Sequence, residues 1–237
     1  MLAMNRDEQT SRPRAMGPRR HWTGSHNALY PSETGGGTWI GINDAGLSLA
    51  LINWYAKPQR DRALCVSRGI VIPHLLAADD LAGVGLLFSD LPMSRINPFR
   101  LIAVSLAGHA VSEWRWDGAV LECRRHGWKR GHWFSSGFDE ALVNRKRAGM
   151  VRAAAAAVSA RTSAWLRQLH NSHQPERGAF SVCMHRQDAQ TVSYTEILAT
   201  RRMAQMRYAA GPPCTKKPGA PRLLSFASEA AARHQPR

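Results

Sequence analysis

Four cysteines, ten histidines and a short polar run near the N-terminus are the side chains of this chain most able to do chemistry, and their spacing limits each of them. Cys65, Cys123, Cys183 and Cys214 stand tens of residues apart, with no C-x-x-C pair and no zinc-finger spacing. No metal site is expected from them; reduced, partly buried thiols are. Among the histidines, His170/His173, His21/His26 and His126/His132 are the close pairs, and no carboxylate joins them at metal-ligand spacing. They read as surface or loop residues. His185, between Met184 and Arg186, is the one imidazole expected at a strand end. In Asn5-Arg6-Asp7-Glu8 the Arg6 guanidinium can face an anionic ligand or close an ion pair with Asp7 or Glu8. No phosphate loop, G-x-G-x-x-G or G-x-S-x-G occurs, so nucleotide-binding and serine-hydrolase chemistry lack their signatures.

The elements that must position these residues follow from patterning. Apolar Trp39, Ile40, Ile42, Leu47, Leu49, Leu51 and Ile52 flank the turn residues Asn43-Asp44-Ala45-Gly46, which predicts a hairpin over Thr38 to Asn53. Gly35-Gly36-Gly37 before it makes a loop that can pass close to another backbone or a ligand. Ser67 to Leu91 reads as helical with a break near Ala78-Asp79-Asp80, although Pro73 lies inside it. Strands follow over Phe99 to Cys123, with Trp114 and Trp116 on one face. Asp139 to His170 reads as one or two helices. Ala179 to Met184 and Thr191 to Ile197 flank the turn 186–189 and predict another antiparallel pair. Trp39, Trp114 and Trp116 fill core or rim positions, a ligand-stacking wall being the alternative. Strands, helices and strands again give an α+β layered domain rather than βαβ units. It is expected over residues 1–214, with a basic, loosely ordered tail over 215–237.

The length of 237 residues suits one well-buried domain. The net charge is 32 basic minus 17 acidic residues, or +15, and the basic residues are mostly Arg. They are dispersed along the chain with no dense block and no RNA-binding aromatic motif, which argues against a dedicated nucleic-acid face. A basic RNA- or lipid-binding module stays as an alternative. No uncharged run approaches the ~18 apolar residues of a membrane span, and charge enters by Arg6, unlike a secretory signal. A cytoplasmic protein is expected.

Met4-Asn5-Arg6-Asp7-Glu8, Arg12-Pro13, Gly35 to Asn43 and Gly46-Leu47 together resemble the NRDE family, also called the Transport and Golgi organisation protein 2 family. Ser67-Arg68-Gly69, Ser135-Ser136-Gly137, Met184 to Ala189, Tyr208 and Gly211-Pro212-Pro213-Cys214 extend the resemblance to its bacterial members, in the same order. The resemblance implies an α-β-β-α sandwich similar to N-terminal-nucleophile hydrolases, nearest the choloylglycine hydrolase and penicillin acylase branch. By carry-over, Asn53 at a strand end is the oxyanion-hole amide, able to donate to developing negative charge. Asp7 is an acceptor beside the nucleophile, with Arg6 and Ser136 near the same site. Asn5, Gly36, Gly37, Trp39 and His185 are the expected ligand contacts.

The same resemblance implies an N-terminal cysteine whose α-amine serves as its base. Met1-Leu2-Ala3-Met4 stands directly before the motif instead, and the four internal cysteines can supply no free α-amine. A start assigned too far downstream is expected, true loss of the front of the gene being the alternative; either way the first strand of the sandwich is expected to lie outside this chain, and no hydrolysis is expected from the chain as given. Function is expected to be binding or trafficking of a small amphipathic acyl-type or haem-like ligand, with no cofactor required and haem as a possible cargo. The family's association with haem movement makes His185 a candidate axial ligand. An N-terminal-cysteine amidohydrolase is the alternative.

Overall fold

The computed structural model describes residues 1–128, 131–156 and 162–227. The chain opens with β1 (Leu2–Gln9), β2 (Met16–Trp22), β3 (Asn27–Ser32), β4 (Ile40–Asn43) and β5 (Leu47–Asn53). Two short helices, α1 (Val71–Leu75) and α2 (Leu81–Leu87), precede β6 (Phe99–Ser105), β7 (Ala110–Trp116) and β8 (Leu121–His126). Two further helices, α3 (Glu140–Ala154) and α4 (Ser163–His170), lead into β9 (Ala189–Ala199), β10 (Met203–Ala209) and β11 (Arg222–Ser225). Pro73 sits in the first turns of α1, where its missing N–H costs no helical bond. Asp80 caps α2, its carboxylate accepting from Gly83 N at 2.8 Å.

Neighbouring strands pair antiparallel in two sheets, β2-β3-β4-β5-β6-β7-β8 and β1-β9-β10-β11. Their inner faces meet through Leu29, Trp39, Ile40, Ile42 and Ala50 on one side and Ile197, Ala204, Met206 and Leu224 on the other. The outer face of the large sheet presents Leu49, Leu51, Leu101 and Trp114 to Ile72, Leu75, Leu76, Val84 and Phe88 of the first helical segment. α3 and α4 cover the outer face of the small sheet, where Arg167 grips the buried Glu196 with bonds of 2.8 and 2.6 Å. Helices, sheet, sheet and helices thus give the expected α-β-β-α sandwich, and where its first strand was expected to lie outside this chain, Leu2–Gln9 forms a strand paired to β9 along its whole length.

Two expectations are corrected. Ala179 to Met184 is a loop, joined to the strand after it by an isolated bridge between His185 and Gln190 and not by a ladder. β1 takes the edge of β9 that this segment was to occupy, and the Met184 N–H is capped by Thr191 Oγ1 at 2.9 Å. The tail expected from 215 is ordered over Arg222–Ser225, which pairs with β10 and buries Leu224 between the sheets; residues 228–237 lie outside the described residues.

Candidate functional site

Alternation along β1 divides the Asn5-Arg6-Asp7-Glu8 motif between two faces. Leu2, Met4 and Arg6 point between the sheets, where the Arg6 guanidinium lies 4.6 Å over the Trp39 ring and pairs with Glu8 and Glu33. Arg12 joins the same cluster, 3.0 Å from Glu33. Asn5 points to the helical layer. Its Nδ2 donates to the carbonyls of His170 at 2.9 Å and Val182 at 2.8 Å, and its Oδ1 accepts from His170 Nδ1 at 3.2 Å.

Asp7, two residues on, faces the same side by the same alternation, and a bulge in β9 changes its partner: Arg6 faces Ser193, Asp7 faces Thr191, and Val192 is passed over. The extra residue turns Thr191 onto the helical face, where its hydroxyl donates to Asp7 Oδ1 at 2.6 Å. The second carboxylate oxygen lies 3.6 Å from Arg147 of α3, a buried guanidinium that also donates to Ala179 O at 3.2 Å. Burial raises the Asp7 pKa above the usual carboxylate range, and Arg147 and Thr191 oppose that rise. Burial likewise holds the His170 imidazole down at about 4, so it is neutral at neutral pH.

Asn5 therefore ties the end of α4 to the 178–186 loop, and Asp7 ties α3 to the same sheet edge. Between the two helices runs a groove of about 860 Å³. Met150, Ala153, Ala154, Trp165 and Leu169 form its apolar surface, and Arg145 and Lys146 stand at one part of it. Trp165 is fixed by its indole N–H donating to Ala154 O at 3.1 Å. A smaller cavity of about 450 Å³ lies beside Arg19, Arg20 and Arg222.

The remaining expected residues sit elsewhere. Asn53 donates to the Tyr55 hydroxyl at 2.8 Å, and Ser136 turns back on Phe138, its Oγ donating to the carbonyl at 2.7 Å. Among the described residues no direct hydrogen bond joins either of them, or Arg6, to Asp7. Gly37 serves backbone packing: a Cβ there would come 3.1 Å from Gly69 Cα, while Gly36 supplies a left-handed turn at φ 81°. Trp39 is a buried inter-sheet residue. His185 does not line the groove; its Nε2 lies 3.6 Å from Cys183 Sγ and 3.4 Å from Cys214 Sγ. The roles of Arg147 and His170, and the looped course of Ala179 to Met184 beside them, were not legible in the sequence, although His185 and the Met184 to Ala189 motif were. The run Arg145-Lys146-Arg147 gave no sign of which cation turns inward, since that depends on helix phase against the sheet.

Residues 1–124 match the model of a family described as Transport and Golgi organisation 2. The chain belongs to that family. Among solved structures, one variant of the conjugated bile acid hydrolase from Clostridium perfringens superposes with a TM-score of 0.54 at 9% identity, covering 96% of this chain and 93% of that one. A second variant of the same enzyme gives 0.52 at 10% identity, covering 95% and 92%. The penicillin V acylase from Agrobacterium tumefaciens gives 0.48 at 14% identity, covering 87% and 79%. No curated protein matches the sequence. The two hydrolase variants establish for this Transport and Golgi organisation 2 member the sandwich of N-terminal-nucleophile hydrolases. Among the described residues, no helix is long and apolar enough to cross a membrane.

Proposed function

We propose that the chain binds a small amphipathic carboxylate in the α3/α4 groove and holds it without transforming it. The observation that carries this reading is the use of the family motif: its two helix-facing side chains, Asn5 and Asp7, each anchor one wall of the groove. The volume falls within the roughly 300–1,000 Å³ of small-molecule sites. The apolar surface suits the ligand body, and Arg145 and Lys146 suit its carboxylate.

A fatty acid and a porphyrin both have an apolar body ending in carboxylate. Titration of the full chain with a dansyl-labelled fatty acid, followed by competition with palmitate and with haemin, separates them. Saturable binding displaced by palmitate identifies an acyl ligand, and displacement by haemin alone a haem-like one. The double reversal Arg145→Glu/Lys146→Glu should weaken binding by about tenfold or more, equivalent to at least ~1.4 kcal/mol, with an unchanged melting temperature. Absence of saturable binding, or binding indifferent to the reversal, would overturn the proposal.

A further inference from the structure

The β9–β10 hairpin returns the chain to the sheet end from which it left, with Tyr194 paired to Ala209. The segment before β9 and the segment after β10 therefore meet. Cys183 and His185 come from the first and Cys214 from the second. His173 reaches the same place from the turn after α4, held there by the Cys183 N–H donating to Ser172 O at 3.0 Å. One donor atom from each of His173, Cys183, His185 and Cys214 lies within 4.8 Å of every other. His173 Nε2 is buried with no hydrogen-bond partner among the described residues, an arrangement that normally costs free energy unless something fills it.

From these positions the geometry points to a structural zinc site of two cysteines and two histidines. Zinc–sulfur and zinc–nitrogen bonds of ~2.3 and ~2.05 Å at a tetrahedral angle span a sulfur–nitrogen edge of about 3.6 Å. The observed edges from His185 Nε2 are 3.6 Å to Cys183 and 3.4 Å to Cys214. The widest separation, within 4.8 Å, closes by about an ångström when the ion binds. Two thiols and two imidazoles at tetrahedral spacing select zinc over calcium or magnesium, which take oxygen ligands. On binding, the two thiol protons leave to solvent, and two thiolates neutralise the dication. Four protein ligands leave no open position, which marks the site as structural.

The surrounding bonds hold the ligands in place. Ser181 Oγ donates to Cys183 O at 2.6 Å, the His185 N–H donates to Gly178 O at 3.2 Å, and Lys216 N donates to Pro212 O at 2.9 Å around Cys214. Arg177 Nη2 stands 3.5 Å from His185 Nδ1 at an exposed position. Ligation through Nε2 puts the imidazole proton on Nδ1, so Arg177 turns outward when the metal binds. The ion would lock the 178–186 loop, to which Asn5 and Arg147 also bind, onto the segment after β10.

The test is metal analysis of the full untagged chain purified under nitrogen and dialysed against a chelating resin. About one zinc per chain is expected, with cobalt(II) replacement giving the intense visible absorption of a tetrahedral thiolate complex. Cys214→Ser should lower zinc affinity by more than the roughly 10–100-fold that outer-shell changes cost, whereas Cys123→Ser should leave it unchanged. Should Cys214→Ser fail to fold, thiol alkylation of the wild type decides: zinc should protect Cys214, which is partly exposed without the metal, and a strong chelator should expose it, Cys183 being buried in the fold itself. Metal well below one per chain, a six-coordinate cobalt spectrum, alkylation indifferent to the chelator, or a Cys183–Cys214 disulfide in the peptide masses would each overturn the site.

Discussion

Among the described residues, the Asp7 carboxyl is met in its buried place by Arg147 and the Thr191 hydroxyl. Asp7→Asn keeps the shape but leaves the buried guanidinium without its counter-charge, and should cost about 1–3 kcal/mol. Urea denaturation measures this, and a double variant Asp7→Asn/Arg147→Met should recover part of the loss; additive losses would show that the pair is not coupled. His170 gives a pH dependence of defined sign. Its folded pKa of about 4 lies below the ordinary 6.5, so between those values the unfolded chain binds the extra proton. Stability should therefore be complete above pH 6.5 and fall as pH drops toward 4. His170→Gln should flatten the melting-temperature profile across that window; an unaltered profile would assign the pH effect to another group. At this scale the motif was legible as a group but not in its division. Alternation puts Arg6 opposite Asn5, yet only the register jump past Val192 sets Thr191 against Asp7.

The hairpin β4–β5 was readable because Asn43 to Gly46 declares its turn, and Asn43 does more than turn: its amide bonds the carbonyls of Leu76 and Ala78 at 2.9 and 2.7 Å. The glycine loop before it was also readable as a close backbone approach, though its partner, Gly69, lies too far along the chain to be inferred. Because a Cβ on Gly69 would meet Gly37 Cα at 2.9 Å, Gly69→Ala should destabilise the fold by about 1–3 kcal/mol. A thermal melt checks it, and an unchanged midpoint would mean that the two loops separate freely. The segment 179–184 shows the opposite case. Its apolar residues suit a strand, but β9 has two edges and both are occupied, by β1 and β10. Competition between segments for one edge is invisible to local patterning.

At the scale of the molecule, the layer order was legible from the succession of strands and helices, and the contacts between distant segments were not. Cys183 and Cys214 illustrate this: their separation in sequence argues against a shared metal, and the antiparallel return of β9 and β10 removes that separation. The net charge of +15 remains a property of the whole surface. If it drove association with RNA, affinity would fall with salt at a slope of about −0.7 per phosphate contact; the expected slope is near zero, measured by filter binding across a salt series. The groove between α3 and α4 is the feature on which the functional reading depends, and labelling by a photoactivatable fatty acid addresses it most directly. After irradiation of the full chain and peptide mapping, cross-links should concentrate in Glu140–Ala154 and Ser163–His170 and disappear with excess palmitate or haemin. Cross-links spread over the outer strands, or undiminished by either competitor, would contradict ligand binding in this groove.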